Sequence, residues 1–317
     1  MMNTNTNMNT NTNINSITRM FHNKQVKRLV NVYQLKYING VAQGLGDYIR
    51  GCFCLLQISS LLGIQFDMDL TNHPMSKFFL QQENLHNYEI DYLKIAKFEN
   101  TNYIPINAKI FKKNSEGFLL EFINKMNTFN FLKNGNYFLF CNSIPIFDYY
   151  PKEARNFIRS KLCPNEIMQQ NIRDTLVKLN LKPKQYAVIH IRSGDKYMLK
   201  NNKINPFVIK KIIRILSKNM KSGNKYLLLS DNNDIKFILK KVFPHIIIQN
   251  TNIVHLGESE NPSEAAIMET LVDFFLMAYS FQIVGFSPYN WGSGFSQWCS
   301  ILYNIPYLQI QVLDYLS

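Results

Sequence analysis

The segment AVIHIRSGDKY, from Ala187 to Tyr197, decides the fold of this 317-residue chain. An apolar run ends abruptly in arginine, a Ser-Gly turn, aspartate and lysine. A continuous apolar run bounded in this way is typical of a parallel strand that is buried on both faces. Ligands of parallel sheets bind beyond the carboxyl ends of the strands, so the charged residues that follow the run are candidates for a binding site.

Strands and helices alternate regularly around this segment. Parallel strands need crossover connections of this length, so the alternation predicts a parallel sheet with helices on both faces. The expected strands are 186–191, 225–229, 246–248, 282–284 and 307–310, and the expected helices are 206–220, 234–242, 262–278 and 294–303.

The N-terminal half opens with a second strand-helix-strand pattern. A strand is expected at 32–38, a helix at 47–62 after Gly44 and Gly46, and a strand at 64–70. The unit is the usual opening of a Rossmann-like domain. The remaining expectations for this half are helices at 75–79, 118–126 and 165–179 and a strand at 136–141.

The sequence therefore predicts an α/β fold with two Rossmann-like domains that face a cleft. Residues 1–16 are an Asn/Thr-rich repeat and are expected to be disordered. Residues 17–181 form the N-terminal domain, and residues 182–317 form the C-terminal domain. The boundary is placed near Lys182 and Pro183.

Composition limits the function classes. Thirty-five Lys and Arg against 22 Asp and Glu give a net charge of +13, which suits an anionic ligand. Basic residues are scattered, so nucleic-acid binding is not favoured. The five cysteines lack zinc spacing and indicate free thiols in a reducing compartment. The N-terminus has no signal-peptide pattern, and the apolar stretch 52–66 is too short to span a bilayer, so a soluble cytoplasmic protein is expected.

The charged cluster after the central strand supplies the first candidates. His190 and Arg192 alternate with isoleucines and project to one side, and the turn at Ser193 brings Asp195 and Lys196 to the rim. Arginine grips a phosphate bidentately, which lysine cannot imitate. Asp195 is either a base or the group that holds Arg192 in place. The alternative is an ion pair that merely closes the strand end.

Two other strand ends carry polar residues. Ser230 and Asp231 follow an apolar strand, and a carboxylate there can accept two hydrogen bonds from guanine or from ribose hydroxyls. The alternative is capping of the next helix. Ser293 and Ser296 flank a helix start near Gly294, where N–H groups and the dipole attract an anion. Serine capping is again the alternative.

Two further segments are weaker signals. Gly44 and Gly46 let the backbone approach a ligand, and Asp47 follows them, but the complete dinucleotide fingerprint is missing. The segment NPSE, 261–264, reads as a capping box with Pro262 at the first helical position, so Glu264 is assigned no chemistry.

In order and spacing, four segments resemble the metal-independent GT-B fucosyltransferases, including the α1,2, α1,6 and protein O-fucosyltransferase branches. HIRSGDKY is similar to their HxRxGD segment and GLGDYIRG to their first glycine turn. LLLSDNND is similar to their strand ending in Ser-Asp. METLVDFFLMAYSFQIV followed by SGFSQWCSILYN is similar to their closing segment.

The resemblance implies inverting transfer of fucose from GDP-fucose to a glycan hydroxyl without a metal or other cofactor. It assigns the donor to the C-terminal domain, residues 182–317, and the acceptor side to the N-terminal domain, residues 17–181. Arg192 would bind the β-phosphate and stabilise the charge of departing GDP. Asp231 would read guanine, with His190 nearby. The other donor-binding positions would be Gly44, Gly46, Lys196, Ser230, Ser293, Gly294, Phe295 and Ser296.

The resemblance makes Asp195 the first candidate for general base and Asp47 the second. The chain departs from the family in two places. The segment KYMLKNNK lacks the glutamate that some branches carry beyond the arginine, and extra residues, GFSPYNWG, make Ser287 a rival phosphate-binding serine.

Two alternatives to fucosyl transfer share the fold. One is a GT-B transferase that uses another nucleotide sugar, and the other is a nucleotide-sugar-binding protein without turnover. Nucleic-acid binding is a third, with less support.

Overall fold

The computed structural model describes residues 27–33, 44–71, 73–80, 104–106, 136–193, 199–200, 203–251 and 262–312. These residues form two compact units. The first contains the described residues up to Leu162, except Gly44–Gly46 and Lys77–Leu80. The second contains those two short segments and the chain from Cys163 onward.

The first unit contains a parallel four-stranded sheet in the order β2-β1-β4-β3. Its elements are β1 (Arg28–Val32), α1 (Leu45–Leu62), β2 (Gln65–Asp69), a 3-10 turn (Pro74–Phe78), β3 (Ile104–Ile106), β4 (Asn136–Cys141) and α2 (Lys152–Lys161).

Asn31 joins the two central strands of this sheet. Its buried amide donates to the Cys141 carbonyl at 3.2 Å and accepts from the Cys141 N–H at 2.9 Å. A buried amide is tolerated there because both of its polar atoms are hydrogen-bonded.

The second unit contains a parallel five-stranded sheet in the order β11-β10-β5-β8-β9. Its elements are α3 (Glu166–Lys178), β5 (Tyr186–Ile191), α4 (Pro206–Asn219), β8 (Lys225–Ser230), α5 (Asn233–Val242), β9 (Ile247–Ile248), α6 (Glu264–Ala278), β10 (Gln282–Ser287), α7 (Gly294–Tyr303) and β11 (Tyr307–Gln311), with a short hairpin of β6 (Leu199–Lys200) and β7 (Lys203–Ile204).

The strand order of the second sheet is that of a Rossmann domain. The chain begins the sheet at β5, moves outward through β8 to β9, and then returns to the other side of β5 as β10 and β11. The order therefore reverses between β5 and β10. Doubly wound sheets bind ligands beyond the carboxyl ends of the strands at this point.

The regular alternation predicted for the C-terminal half is confirmed, with small changes of boundary. Strand β10 continues through Gly285 to Ser287, beyond the expected end at Val284. Gly285 is a close-packing position rather than a strand end, because a Cβ there would lie 2.4 Å from the Tyr307 hydroxyl. The expected capping box at 261–264 is wrong. Helix α6 begins at Glu264, and Ser263 caps it by accepting from the Ala266 N–H.

The N-terminal half differs more. The strand expected at 32–38 is placed at Arg28–Val32, and residues 34–40 lie outside the described residues, as does the helix expected at 118–126. Residues 74–78 form a 3-10 turn instead of an α-helix, and α2 was not expected. Helix α3 belongs to the second unit, whereas the sequence placed the boundary after it, because α3 packs on α6.

The five cysteines are free thiols, as the sequence indicated. Within the described residues no helix combines the length and the apolar character that crossing a bilayer requires.

Candidate functional site

Arg192 lies directly beyond β5, at the point where the strand order of the second sheet reverses. Its backbone N–H donates to the Phe286 carbonyl of β10 at 2.9 Å, so the parallel pairing of β5 and β10 continues to this residue. On the other side, β5 pairs with β8 as far as Ser230. Arg192 therefore leaves the sheet between two neighbouring strand ends.

Asp231, the first residue after β8, holds Arg192. Its Oδ2 lies 3.0 Å from Arg192 Nη1, and its Oδ1 accepts from the Ser193 N–H at 2.7 Å. The two side chains are only 18% and 17% exposed, so solvent screens this ion pair less than it would a surface pair. Asp231 therefore holds Arg192 among the described residues; Asp195, which the sequence offered for this contact, lies outside them.

His190 connects the central strand to the start of α7. Its buried Nδ1 lies 3.0 Å from Ser296 Oγ, and that hydroxyl is also 3.3 Å from the Tyr307 hydroxyl. Burial lowers the pKa of His190 to about 4; Asp231 opposes this shift and Arg192 adds to it. The imidazole is therefore neutral at physiological pH, and it positions groups without supplying charge.

We expect the imidazole of His190 to stay neutral between about pH 8 and about pH 5, because burial disfavours the charged ring. The measurement is the Hε1 chemical shift of His190 by NMR, assigned with a His190→Asn variant. A titration midpoint near the ordinary value of about 6.5 would contradict the buried environment.

The start of α7 is not capped by serine in the expected way. Ser293 occupies the N-cap position, yet its side chain makes no capping hydrogen bond. Ser296 is turned toward His190 and Tyr307. Serine capping therefore does not account for these residues. In the same unit Gly46 packs on the helix start, where a Cβ would lie 2.3 Å from the carbonyl carbon of Gly294.

Sequence reasoning missed a buried polar cluster beside Asp231. Lys236 of α5 donates to the Gln249 carbonyl at 2.8 Å and to Thr251 Oγ1 at 3.2 Å. Asp273 of α6 interacts with it electrostatically. The carboxylate is 2% exposed, and neither oxygen has a hydrogen-bond partner among the described residues.

The environment of Asp273 makes its charge costly. Burial raises the pKa of Asp273 to about 7; Lys236 opposes this shift, and Glu269 adds to it. Buried polar groups without hydrogen bonds are few in folded proteins, and strongly shifted pKa values concentrate at functional sites, so Asp273 is a candidate functional residue. The sequence does contain a signal: Asp273 is a single acid within LVDFFLMA, an otherwise apolar and wholly buried part of α6.

Several of the predicted site residues do not contribute to the cluster around Arg192 in the described part of the chain. Asp195 and Lys196 lie outside the described residues. Asp47 belongs to the first unit, where its carboxylate lies 3.0 Å from Arg50 Nη1. The hydroxyls of Ser230 and Ser287 accept from the N–H groups two residues ahead and brace local turns. Glu264, assigned no chemistry, pairs with Lys77.

No group of three or more His, Cys, Asp and Glu residues that could hold a metal ion occurs in the part of the chain that the structure describes. No protein-family model and no curated protein matches the sequence.

Solved structures do match. An α1,6-fucosyltransferase, NodZ, co-crystallised with GDP superposes with a TM-score of 0.52 over 87% of this chain and 92% of its own, at 12% sequence identity. This chain shares the fold of NodZ. Selenomethionine NodZ from Bradyrhizobium gives a TM-score of 0.51 over 92% and 95% of the two chains, also at 12% identity. The GT-B fold class implied by the four sequence motifs is therefore confirmed.

Proposed function

We propose that this protein is an inverting, metal-independent glycosyltransferase that moves fucose from GDP-fucose to a hydroxyl of a glycan acceptor. The observation that carries the proposal is the Arg192–Asp231 pair at the strand-order reversal of a Rossmann sheet. A guanidinium fixed at that place suits a diphosphate. NodZ, whose fold this chain shares, was co-crystallised with GDP, which supports the same class of donor.

Arg192 acts on the leaving group in this scheme. The bond between the anomeric carbon and the β-phosphate oxygen breaks, and its electron pair goes to the phosphate. Arg192 and the N-terminal N–H groups of α7 stabilise that charge. The acceptor hydroxyl attacks the opposite face of the carbon, and a carboxylate takes its proton. Asp195 is the first candidate for this base and Asp47 the second.

Two carboxylates of the second unit are candidates for recognising guanine. Asp231 already uses both oxygens to hold Arg192 and the Ser193 N–H. Asp273 has two buried oxygens without hydrogen-bond partners among the described residues. We therefore assign the N1 and N2 donors of guanine to Asp273, and to Asp231 the positioning of Arg192.

Affinities of variants for GDP and UDP test this assignment. Asp273→Asn is expected to lower the affinity for GDP by about tenfold to a hundredfold and the affinity for UDP only slightly. The reason is that hydrogen bonds to charged groups contribute about 1.5–3 kcal/mol. Asp231→Asn is expected to weaken both nucleotides alike, since both carry the diphosphate. Isothermal titration measures the four constants. If Asp273→Asn lowers the affinities for GDP and UDP equally, Asp273 does not recognise guanine.

The proposed function itself is tested by thermal unfolding with GDP, GDP-fucose, GDP-mannose, UDP and UDP-glucose, each with and without EDTA. A ligand that binds only the folded state raises Tm. We expect GDP and GDP-fucose to raise it and EDTA to have no effect. If only UDP and UDP-glucose raise Tm, the assignment of GDP-fucose as the donor is wrong. If EDTA abolishes the effect of GDP on Tm, the reaction is not metal-independent. If no nucleotide raises Tm, the proposed function is wrong.

A further inference from the structure

An aromatic pair, half-buried Tyr289 and exposed Trp291, lies in the loop between β10 and α7. The two rings stack with their centroids 5.1 Å apart and their planes at 16°. Trp291 is 65% exposed, whereas the other tryptophan of the chain, Trp298, is 4% exposed. An indole held at the surface leaves a large apolar area in water, which is a frequent mark of a binding surface.

The loop is braced rather than loosely extended. Ser287 Oγ accepts from the Tyr289 N–H at 3.1 Å, and Gln309 of β11 donates to the Asn290 carbonyl at 2.8 Å. Gly292 has φ +79°, and a Cβ there would lie 2.5 Å from Gln309 Oε1. Glycine is therefore required at this position. The sheet fixes the backbone that carries the indole, so less conformational entropy is lost when a ligand stacks on it.

The backbone that carries the aromatic pair runs close to the start of α7. Trp291 is two residues from Ser293, the N-cap of α7, so their Cα atoms are at most about 7.6 Å apart. The loop leaves β10, one of the two strands that flank the strand-order reversal. An acceptor must bring its hydroxyl to the carbon bonded to the diphosphate, so its sugar ring has to lie close to the start of α7.

The chemistry of an acceptor glycan fits an indole. A neutral pyranose offers Arg192 no charge, and its largest apolar feature is the face that carries axial C–H groups. Such a face stacks on a flat aromatic ring, while the hydroxyls at the ring edge remain hydrated. The donor is different, because its diphosphate offers charge to Arg192 and to the start of α7, and its base offers hydrogen bonds to Asp273.

We propose that Tyr289 and Trp291 form the acceptor subsite, on which a neutral pyranose ring of the acceptor glycan stacks. The inference rests on the proposed function and differs from the domain expectation, because it gives an acceptor contact to two residues of the second unit. The residues concerned fall in GFSPYNWG, the segment by which this chain departs from the family that its motifs resemble.

The test uses the full chain saturated with GDP and the tryptophan fluorescence of the protein. Cellotetraose, chitotetraose, maltotetraose and β1,4-galactotetraose are titrated to millimolar concentrations. At least one is expected to shift the emission of Trp291, and Trp291→Ala is expected to bind the same sugar at least about tenfold more weakly by calorimetry. Trp291→Phe, which keeps a flat ring, should retain most of the affinity. The matched control is Phe207→Ala, an 80% exposed aromatic residue of α4, which should change nothing.

Three results would overturn the acceptor subsite. The first is no emission change with any of the tetrasaccharides, and the second is equal sugar affinity in Trp291→Ala and wild type. The third is a Trp291→Ala variant that has lost affinity for GDP-fucose but not for GDP. The last would place the donor sugar on the indole. The GDP-induced rise in Tm is read in the same samples. If GDP raises Tm and no sugar binds, only the subsite fails; if GDP itself has no effect, the proposed function fails.

Discussion

Replacing Arg192 with alanine is expected to lower turnover of GDP-fucose by about a thousandfold while the protein remains folded. The guanidinium is held by Asp231 at 3.0 Å, so in the proposed reaction it would stabilise the leaving phosphate without reorganising. Arg192→Lys should recover little, because an ammonium cannot hold two phosphate oxygens in the same geometry. The measurement is GDP release in the absence of acceptor, when water takes the place of the acceptor hydroxyl.

Folding and charge must be controlled in this experiment. Arg214→Ala removes the same charge from an exposed position on α4 and should keep wild-type turnover. Far-UV circular dichroism and urea unfolding report whether Arg192→Ala is intact. A folded Arg192→Ala variant that released GDP at the wild-type rate would exclude Arg192 from the chemistry, whatever nucleotide the protein binds.

The second sheet could be predicted from the sequence because each of its central strands is a continuous apolar run with polar residues after it. Burial on both faces imposes that pattern locally, so YAVIHI and KYLLLS mark their own positions. The bounds of α7 were predicted correctly for a similar reason: Gly292 and Ser293 precede it, and it ends at Asn304, which adopts φ +54°.

The first sheet was harder because its strand choice depends on distant partners. RLVNV and VYQLKYI both have strand character; RLVNV pairs with β2 and β4, and most of VYQLKYI lies outside the described residues. Strand propensity alone does not select between them. Helix α2 was missed because KEARNFIRSK is strongly polar and buries only Ala154 and Ile158.

The site shows the same division between local and distant information. Alternation along a strand was enough to select His190 and Arg192. It did not select Asp231 as a partner of Arg192, because Asp231 follows a different strand and comes near only through the pairing of β5 with β8. Asp273 was passed over because its distinguishing property, a buried carboxylate without a hydrogen-bond partner among the described residues, appears only when α6 is packed beside Lys236.

In wild type, the titration of Asp273 is expected to change the free energy of unfolding by about 4 kcal/mol in total between low and neutral pH, and Asp273→Asn is expected to remove this change. The pKa of Asp273 is raised to about 7 in the folded protein, against about 3.9 in an unfolded chain. Between these values the folded state keeps a proton that the unfolded state has lost. The contribution of Asp273 to stability is therefore complete below about pH 4 and is lost as pH rises to about 7.

Asparagine does not titrate, so the unfolding free energy of the variant minus that of wild type should rise by about 1.4 kcal/mol per pH unit between about pH 4 and about pH 7. Urea unfolding at several pH values measures this difference. Because both proteins contain His190, its titration contributes equally to both and cancels in the difference. Thr270→Val, a buried non-titrating position on the same helix, should give a difference that is constant with pH.

The same titration should govern GDP affinity if Asp273 accepts from guanine. Only the ionised carboxylate accepts both the N1 and N2 hydrogens, so below about pH 7 each unit of acidification should weaken GDP by up to about tenfold, and this dependence should be absent in Asp273→Asn. A pH-dependent difference in stability with a pH-independent GDP affinity would leave Asp273 as a buried carboxylate in the field of Lys236 and remove it from the nucleotide site. Changes in both would assign the carboxylate to guanine, because its proton would then be displaced by the base.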